Sequence, residues 1–165
     1  MIDKSDRIHP HDIVQATVKN RYAIPLFLSL VQCGFTSPAE NYVERRLDLN
    51  ELCNVDSEGT YFARATGESL VGDRIYPGDI LVVGSMREPV DGSIVVVWLN
   101  GEYCAKIYLD KSPLVVLLSS NEHYLPIYVH PKTDDYQSGD DFQVVGVVTY
   151  VVFKPPRHDV RTHRL

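Results

Sequence analysis

Past residue 60 the chain alternates short apolar runs with turn residues: YFARA at 61–65, ILVV at 80–83, SIVVVWL at 93–99, EYCAKIYL at 102–109, LVVLLS at 114–119, PIYVH at 126–130 and QVVGVVTYVVF at 143–153. β-branched and aromatic residues dominate these runs, and almost no helical period lies between them. Pro77-Gly78, Asp91-Gly92 and Asn100-Gly101 separate them. Asn-Gly between two β-rich runs is the strongest short-range hairpin signal, because both turn positions need positive φ. The runs at 93–99 and 102–109 are therefore expected to pair antiparallel. Many short strands with close turns predict a mainly β fold, a curled or barrel-like antiparallel sheet. The long run at 143–153 would leave an exposed edge unless something covers it.

Before residue 60 the pattern is lost. Apolar positions are scattered among Pro10, Pro25, Pro38, Asn41, Asn50 and Asn54, with neither a helical nor a strand period. This divides the chain into an extended N-terminal arm (1–59), a β domain (60–153) and a basic tail (154–165). Within the arm, Ile24 to Val31 (IPLFLSLV) is an apolar patch that suits a groove or a sheet edge, or else a short core helix.

Composition narrows the class. A chain of 165 residues, 44 % hydrophobic and 23 % charged, has room for one core plus an arm. No apolar run approaches the roughly eighteen residues of a membrane helix, and MIDKSDRIHPHD lacks the apolar stretch of a secretory signal. A soluble cytoplasmic protein is expected. Cys33, Cys53 and Cys104 are odd in number and widely spaced, which reads as free thiols rather than a disulfide framework or zinc site. The net charge of −6 argues against a broad electrostatic grip on DNA, so direct DNA binding is not expected. Lys154, Arg157, Arg161 and Arg164 in the tail, and Asp134, Asp135, Asp140 and Asp141 in one loop, read as solvated charge.

Two polar residues sit where chemistry could use them. Lys106 lies inside the strand EYCAKIYL and shares a face with Cys104 and Tyr108 by period-two alternation. Either it points to water, or burial disfavours its ammonium form and makes it a usable general base. Ser69 lies in Ala65-Thr66-Gly67-Glu68-Ser69-Leu70-Val71-Gly72, where small residues permit a tight turn that brings backbone N–H groups beside the hydroxyl. The residues alone leave open an ordinary loop serine. A nucleophile elbow of the α/β-hydrolase kind is excluded, since Val71 stands where it needs glycine and the setting is antiparallel. A serine–histidine–aspartate triad through His123 or His130 has no orienting acid marked for it, and His9 and His11 lack metal-ligand spacing, so no metal or cofactor is expected.

The segments CGFTSPAENYVERRLDLNELC at 33–53, YFARATGESLVGDRIYPGDILVV at 61–83, DGSIVVVWLNGEYCAKIYL at 91–109 and VVGVVTYVVF at 144–153 together resemble the UmuD proteins of the LexA-like self-cleaving serine peptidases. That resemblance implies a LexA-like curled β peptidase domain behind an arm. It implies Ser69 as nucleophile, Lys106 as general base, the backbone N–H groups of Glu68 and Ser69 as oxyanion donors, and Cys33-Gly34 as the bond cut. It further implies that a RecA filament on single-stranded DNA promotes cutting. The processed homodimer would then join an error-prone, UmuC-like polymerase subunit during DNA-damage tolerance. The apolar run PLFLSLVQ would lie extended across the sheet edge. A dimeric, non-catalytic binding module serving a polymerase or a repressor system is the alternative. The family's serine is usually followed by methionine, whereas here Leu70 follows; the two are similar in size, and packing is expected to survive. The arm, the acidic loop and the tail look like extensions.

Overall fold

A computed structural model describes residues 13–15, 24–27, 43–55, 59–132 and 139–156. Its strands are β1 (Ile13–Gln15), β2 (Ile24–Phe27), β3 (Val43–Leu47), β4 (Thr60–Arg64), β5 (Ile80–Gly84), β6 (Ile94–Leu99), β7 (Glu102–Lys111), β8 (Leu114–Leu118), β9 (Ile127–Val129) and β10 (Phe142–Val152). Eight of them form one antiparallel sheet in the order β1-β4-β5-β10-β6-β7-β8-β9. The expected mainly β fold is the observed one, and each apolar run past residue 60 becomes a strand.

The β6–β7 hairpin turns at Asn100 and Gly101, both at positive φ (48° and 94°), with Leu99 paired to Glu102. Two left-handed residues match the twist of the strands they join. β10 pairs with β6 through its first half and β5 through its second, with irregularities between Val144 and Gly146 and between Val148 and Tyr150. The run that the sequence would leave as an edge is thus interior, and β1 and β9 are the edges.

β6 is buried on both faces, so its two sides feed two apolar clusters. Val96 packs with Ala63, Ala65, Leu70, Ile75, Leu81 and Val83. Val95, Val97 and Leu99 pack with Cys104, Val115, Leu117 and Val129. A strand between two cores reads as a continuous apolar run, which explains IVVVWL.

The described parts of the arm include three short strands. Ile13–Gln15 joins the main sheet by pairing with Ala63–Tyr61. Ile24–Phe27 pairs with Leu47–Val43 in a separate two-stranded sheet. Of the apolar patch, Ile24–Phe27 is a strand partnered by another part of the arm, and residues 28–31 lie outside the described residues. A short helix, α1 (Leu49–Leu52), follows, with the Asp48 side chain accepting the Asn50 N–H at 2.8 Å.

At the far end of the β6–β7 hairpin, Asn100 donates to Asp140 Oδ1 (2.8 Å) and accepts from the Asp141 N–H (2.9 Å), while the His130 N–H donates to Asp140 Oδ2 (2.9 Å). The Asn100 amide, then the His130 N–H, holds the Asp140 carboxyl below its ordinary range. A lowered folded value contributes stability above the unfolded pKa of about 3.9, and that contribution is lost as pH falls through the folded value. Asn100→Gly keeps the left-handed turn and removes the amide. It is expected to melt about 3 °C lower than wild type at pH 7. Thermal scans repeated at pH 3 and below should show the gap narrowing.

Candidate active site

Ser69 follows β4 in a loop closed at its base by Ala65, whose N–H donates to the Asp79 carbonyl (2.8 Å) and whose carbonyl accepts from Gly78 (2.9 Å). Gly67 takes φ +74°, the tight turn that its small neighbours suggested. Leu70 and Ile75 anchor the loop in the core, and the Leu70 carbonyl accepts the N–H groups of Asp73 (3.0 Å) and Ile75 (3.2 Å) around a 3-10 turn at Val71–Asp73. Leu70 is 4 % exposed, so the residue that replaces the family's methionine packs as expected.

Among the described residues four polar or charged ones are buried: Asp48, Thr60, Ser69 and Lys106. The first two have structural duties, Asp48 as the α1 cap and Thr60 as a donor to the Asn54 carbonyl at 2.8 Å. The other two are the pair the sequence singled out. Ser69 is 5 % exposed and Lys106 2 %. Of the two readings of Lys106, buried and wet, the structure selects the buried one. Lys106 lies opposite Val95 in the β6–β7 ladder, and its Nζ is 5.2 Å from the Tyr124 ring centroid.

One turn, residues 119–124, touches both. The Ser120 N–H donates to the Ser69 carbonyl (2.9 Å), the Ser120 hydroxyl accepts the Asp73 N–H (3.1 Å), and Asn121 Nδ2 donates to the Glu68 carbonyl (3.0 Å). Asn121 also accepts from the N–H groups of Tyr124 (3.0 Å, at its carbonyl) and His123 (3.1 Å, at its side chain). The turn leaves β8 beside Lys106's own strand, since Leu118 pairs with Ile107. Sequence reasoning passed over Ser120, Asn121 and Tyr124. Their signal was the Ser-Ser-Asn cluster after an apolar run, a turn signature that says nothing about its distant partners.

A small cavity opens at Ser69, walled by Thr66, Gly67, Leu70, Ile75 and Ala105. A separate groove along the same loop runs past Glu68, Gly72, Tyr76, Pro77 and Asn121. His123 and His130 are exposed. Neither Cys53 nor Cys104 is in a disulfide, and burial pushes the Cys53 thiol up. Burial, then Asp110 and Asp91, raises the Tyr108 phenol. Among the described residues no three His, Cys, Asp or Glu side chains gather to hold a metal, and no helix is long and apolar enough to cross a membrane. Cys33 and Gly34 lie outside the described residues, as do Asp134, Asp135, His9, His11 and residues 157–165 of the tail.

A curled antiparallel sheet with a buried serine loop tied to a buried lysine strand defines the class: a LexA-like β peptidase domain. Residues 25–149 match the peptidase S24-like family model, and the chain belongs to that family. It is 32 % identical to protein MucA of Salmonella typhimurium over 146 residues, covering 88 % of this chain and 95 % of MucA. It is 35 % identical to protein SamA of the same species, covering 79 % and 85 %. A LexA repressor from Anaeromyxobacter is 30 % identical over 129 residues, 78 % of this chain and 52 % of the repressor. The chain is thus a UmuD-like, LexA-type family member, as its motifs suggested.

Proposed function

We propose that the chain is a self-cleaving serine–lysine peptidase that cuts its own Cys33-Gly34 bond. The observation that carries this reading is the burial of Ser69 and Lys106 with one turn touching both. Lys106, as general base, takes the Ser69 hydroxyl proton as Oγ attacks the Cys33 carbonyl carbon. The N–H groups of Glu68 and Ser69 receive the oxyanion. Collapse breaks the C–N bond, Lys106 returns the proton to the Gly34 amine, and water then releases the acylated serine with Lys106 again as base.

The small cavity at Ser69 suits a side chain as small as that of cysteine. The proposed bond falls between β2 and β3 in the chain, so the substrate is tethered at both ends by paired strands. Tethering supplies effective concentration in place of affinity, and a single turnover suffices. In the wider reading, which rests on the UmuD-like kinship, the protein works in the cytoplasm. A RecA filament on single-stranded DNA promotes the cut, and the processed homodimer serves an error-prone polymerase subunit.

The test is chain mass after incubation at pH 7 and at about pH 10, where ordinary amines begin to lose their protons. Wild type is expected to release residues 1–33, and Ser69→Ala to stay whole. Equal persistence of both, with an activated RecA filament added, would leave the chain as a non-catalytic dimeric binding module.

A further inference from the structure

Ser119 directly follows β8, and its hydroxyl is buried with no hydrogen-bond partner among the described residues. Folded chains rarely leave a buried hydroxyl idle, because its lost hydration goes uncompensated. Its place in the ladder suggests a use. β7 and β8 pair from Lys111↔Leu114 to Ile107↔Leu118, and the same register continued one step past the last pair would set Ser119 across from Lys106. Residues opposite each other in such a ladder share a face, within reach of each other's side chains. The next residue, Ser120, is the one whose N–H holds the Ser69 carbonyl. Ser119 therefore stands between the strand of the base and the tether of the nucleophile.

We propose that Ser119 is a positioning residue for Lys106, whose hydroxyl accepts a hydrogen bond from the lysine once the Ser69 proton has been transferred. The inference rests on the serine–lysine reading above. After transfer Nζ is an ammonium with three donors at a site 2 % exposed, where each added acceptor lowers the cost of its charge. The Tyr124 ring offers one face of electron density. The Ser119 oxygen offers lone pairs that no described group uses. An acceptor idle before proton transfer and engaged after it stabilises the transition state without stabilising the resting enzyme.

The experiment follows two rates in wild type, Ser119→Ala and Ser119→Thr. One is self-cutting; the other is capture of Ser69 by a fluorophosphonate probe, in which Oγ displaces fluoride from phosphorus and its proton passes to Lys106. Ser119→Ala is expected to slow both about tenfold, while its thermal midpoint stays within about 2 °C of wild type or rises, because no ground-state bond is lost. Ser119→Thr, which keeps the hydroxyl, should recover both rates to within about threefold. Wild-type rates in Ser119→Ala would show an idle hydroxyl and overturn the proposal. So would loss of both rates in the alanine and threonine variants alike, which marks a packing role. A wild type that captures the probe at Ser69 yet never cuts itself would overturn the self-cleavage reading alone, with Ser119 still judged by its capture rates. A wild type that does neither rejects both.

Discussion

Lys106→Met is expected to slow self-cutting by about a thousandfold in a protein that melts no lower than wild type. The two halves of that result have one cause. Lys106 is 2 % exposed, opposite Val95, in a strand whose neighbour Cys104 belongs to an apolar cluster. Burying an amine there costs the desolvation of a charge or the loss of a proton, a cost that an unbranched apolar side chain of similar length escapes, so methionine fills the space without it. A residue kept for stability should lose stability when removed; a residue kept for chemistry should lose only rate. Mass analysis of the incubated chain and a circular-dichroism melt report the two separately. Lys106→Arg sharpens the comparison, because a guanidinium stays protonated and has no lone pair for the serine proton. It should cut no faster than methionine. Cutting at the wild-type rate in either variant would remove Lys106 from the mechanism, and a methionine variant that unfolds would make the lysine structural.

The strands past residue 60 were legible because their signals are local. β-branched runs, Asn100-Gly101 and Pro77-Gly78 act within a few residues of themselves. Sheet order was not local. Nothing in QVVGVVTYVVF says that it lies between β5 and β6, since its register depends on strands tens of residues away. A strand of the arm was hidden for the same reason: Ile13–Gln15 is three residues long, and only its partner β4 gives it strand character. The α1 helix had a local sign, Asp48 with Glu51 three residues on, the capping-box spacing, but four residues cannot display a period.

The candidate site divides along the same line. The residue types of Ser69 and Lys106 were visible, and the family resemblance chose between their alternatives. Their burial was not visible, nor was the turn that touches both. The bonds from that turn to the serine loop span 47 residues for Ser120 to Asp73 and 53 for Asn121 to Glu68. Contacts at that separation appear only once the sheet has formed.

That turn yields the second large effect. A methyl group on Gly72 would fall inside contact distance of the Ser120 carbonyl oxygen and 2.9 Å from the Ser120 Cβ. Backbone cannot yield as a flexible side chain does, so Gly72→Ala must push the serine loop and the turn apart. Overpacking of this kind costs about 1–3 kcal/mol. The rate should suffer more than the stability, because the displaced bond is the one from Ser120 to the Ser69 carbonyl. Moving a nucleophile by about 1 Å costs about a hundredfold in rate. Gly78→Ala is the matched control: Gly78 has φ +98° and nothing within 4 Å of an added Cβ, so alanine there meets backbone strain without a clash. It should lose about 1 kcal/mol and cut at the wild-type rate. Denaturant titrations give the stabilities, and cutting rates corrected for folded fraction give the rest. If Gly72→Ala cut as fast as Gly78→Ala, the contact between Gly72 and Ser120 would be packing alone, and the turn would have no part in placing Ser69.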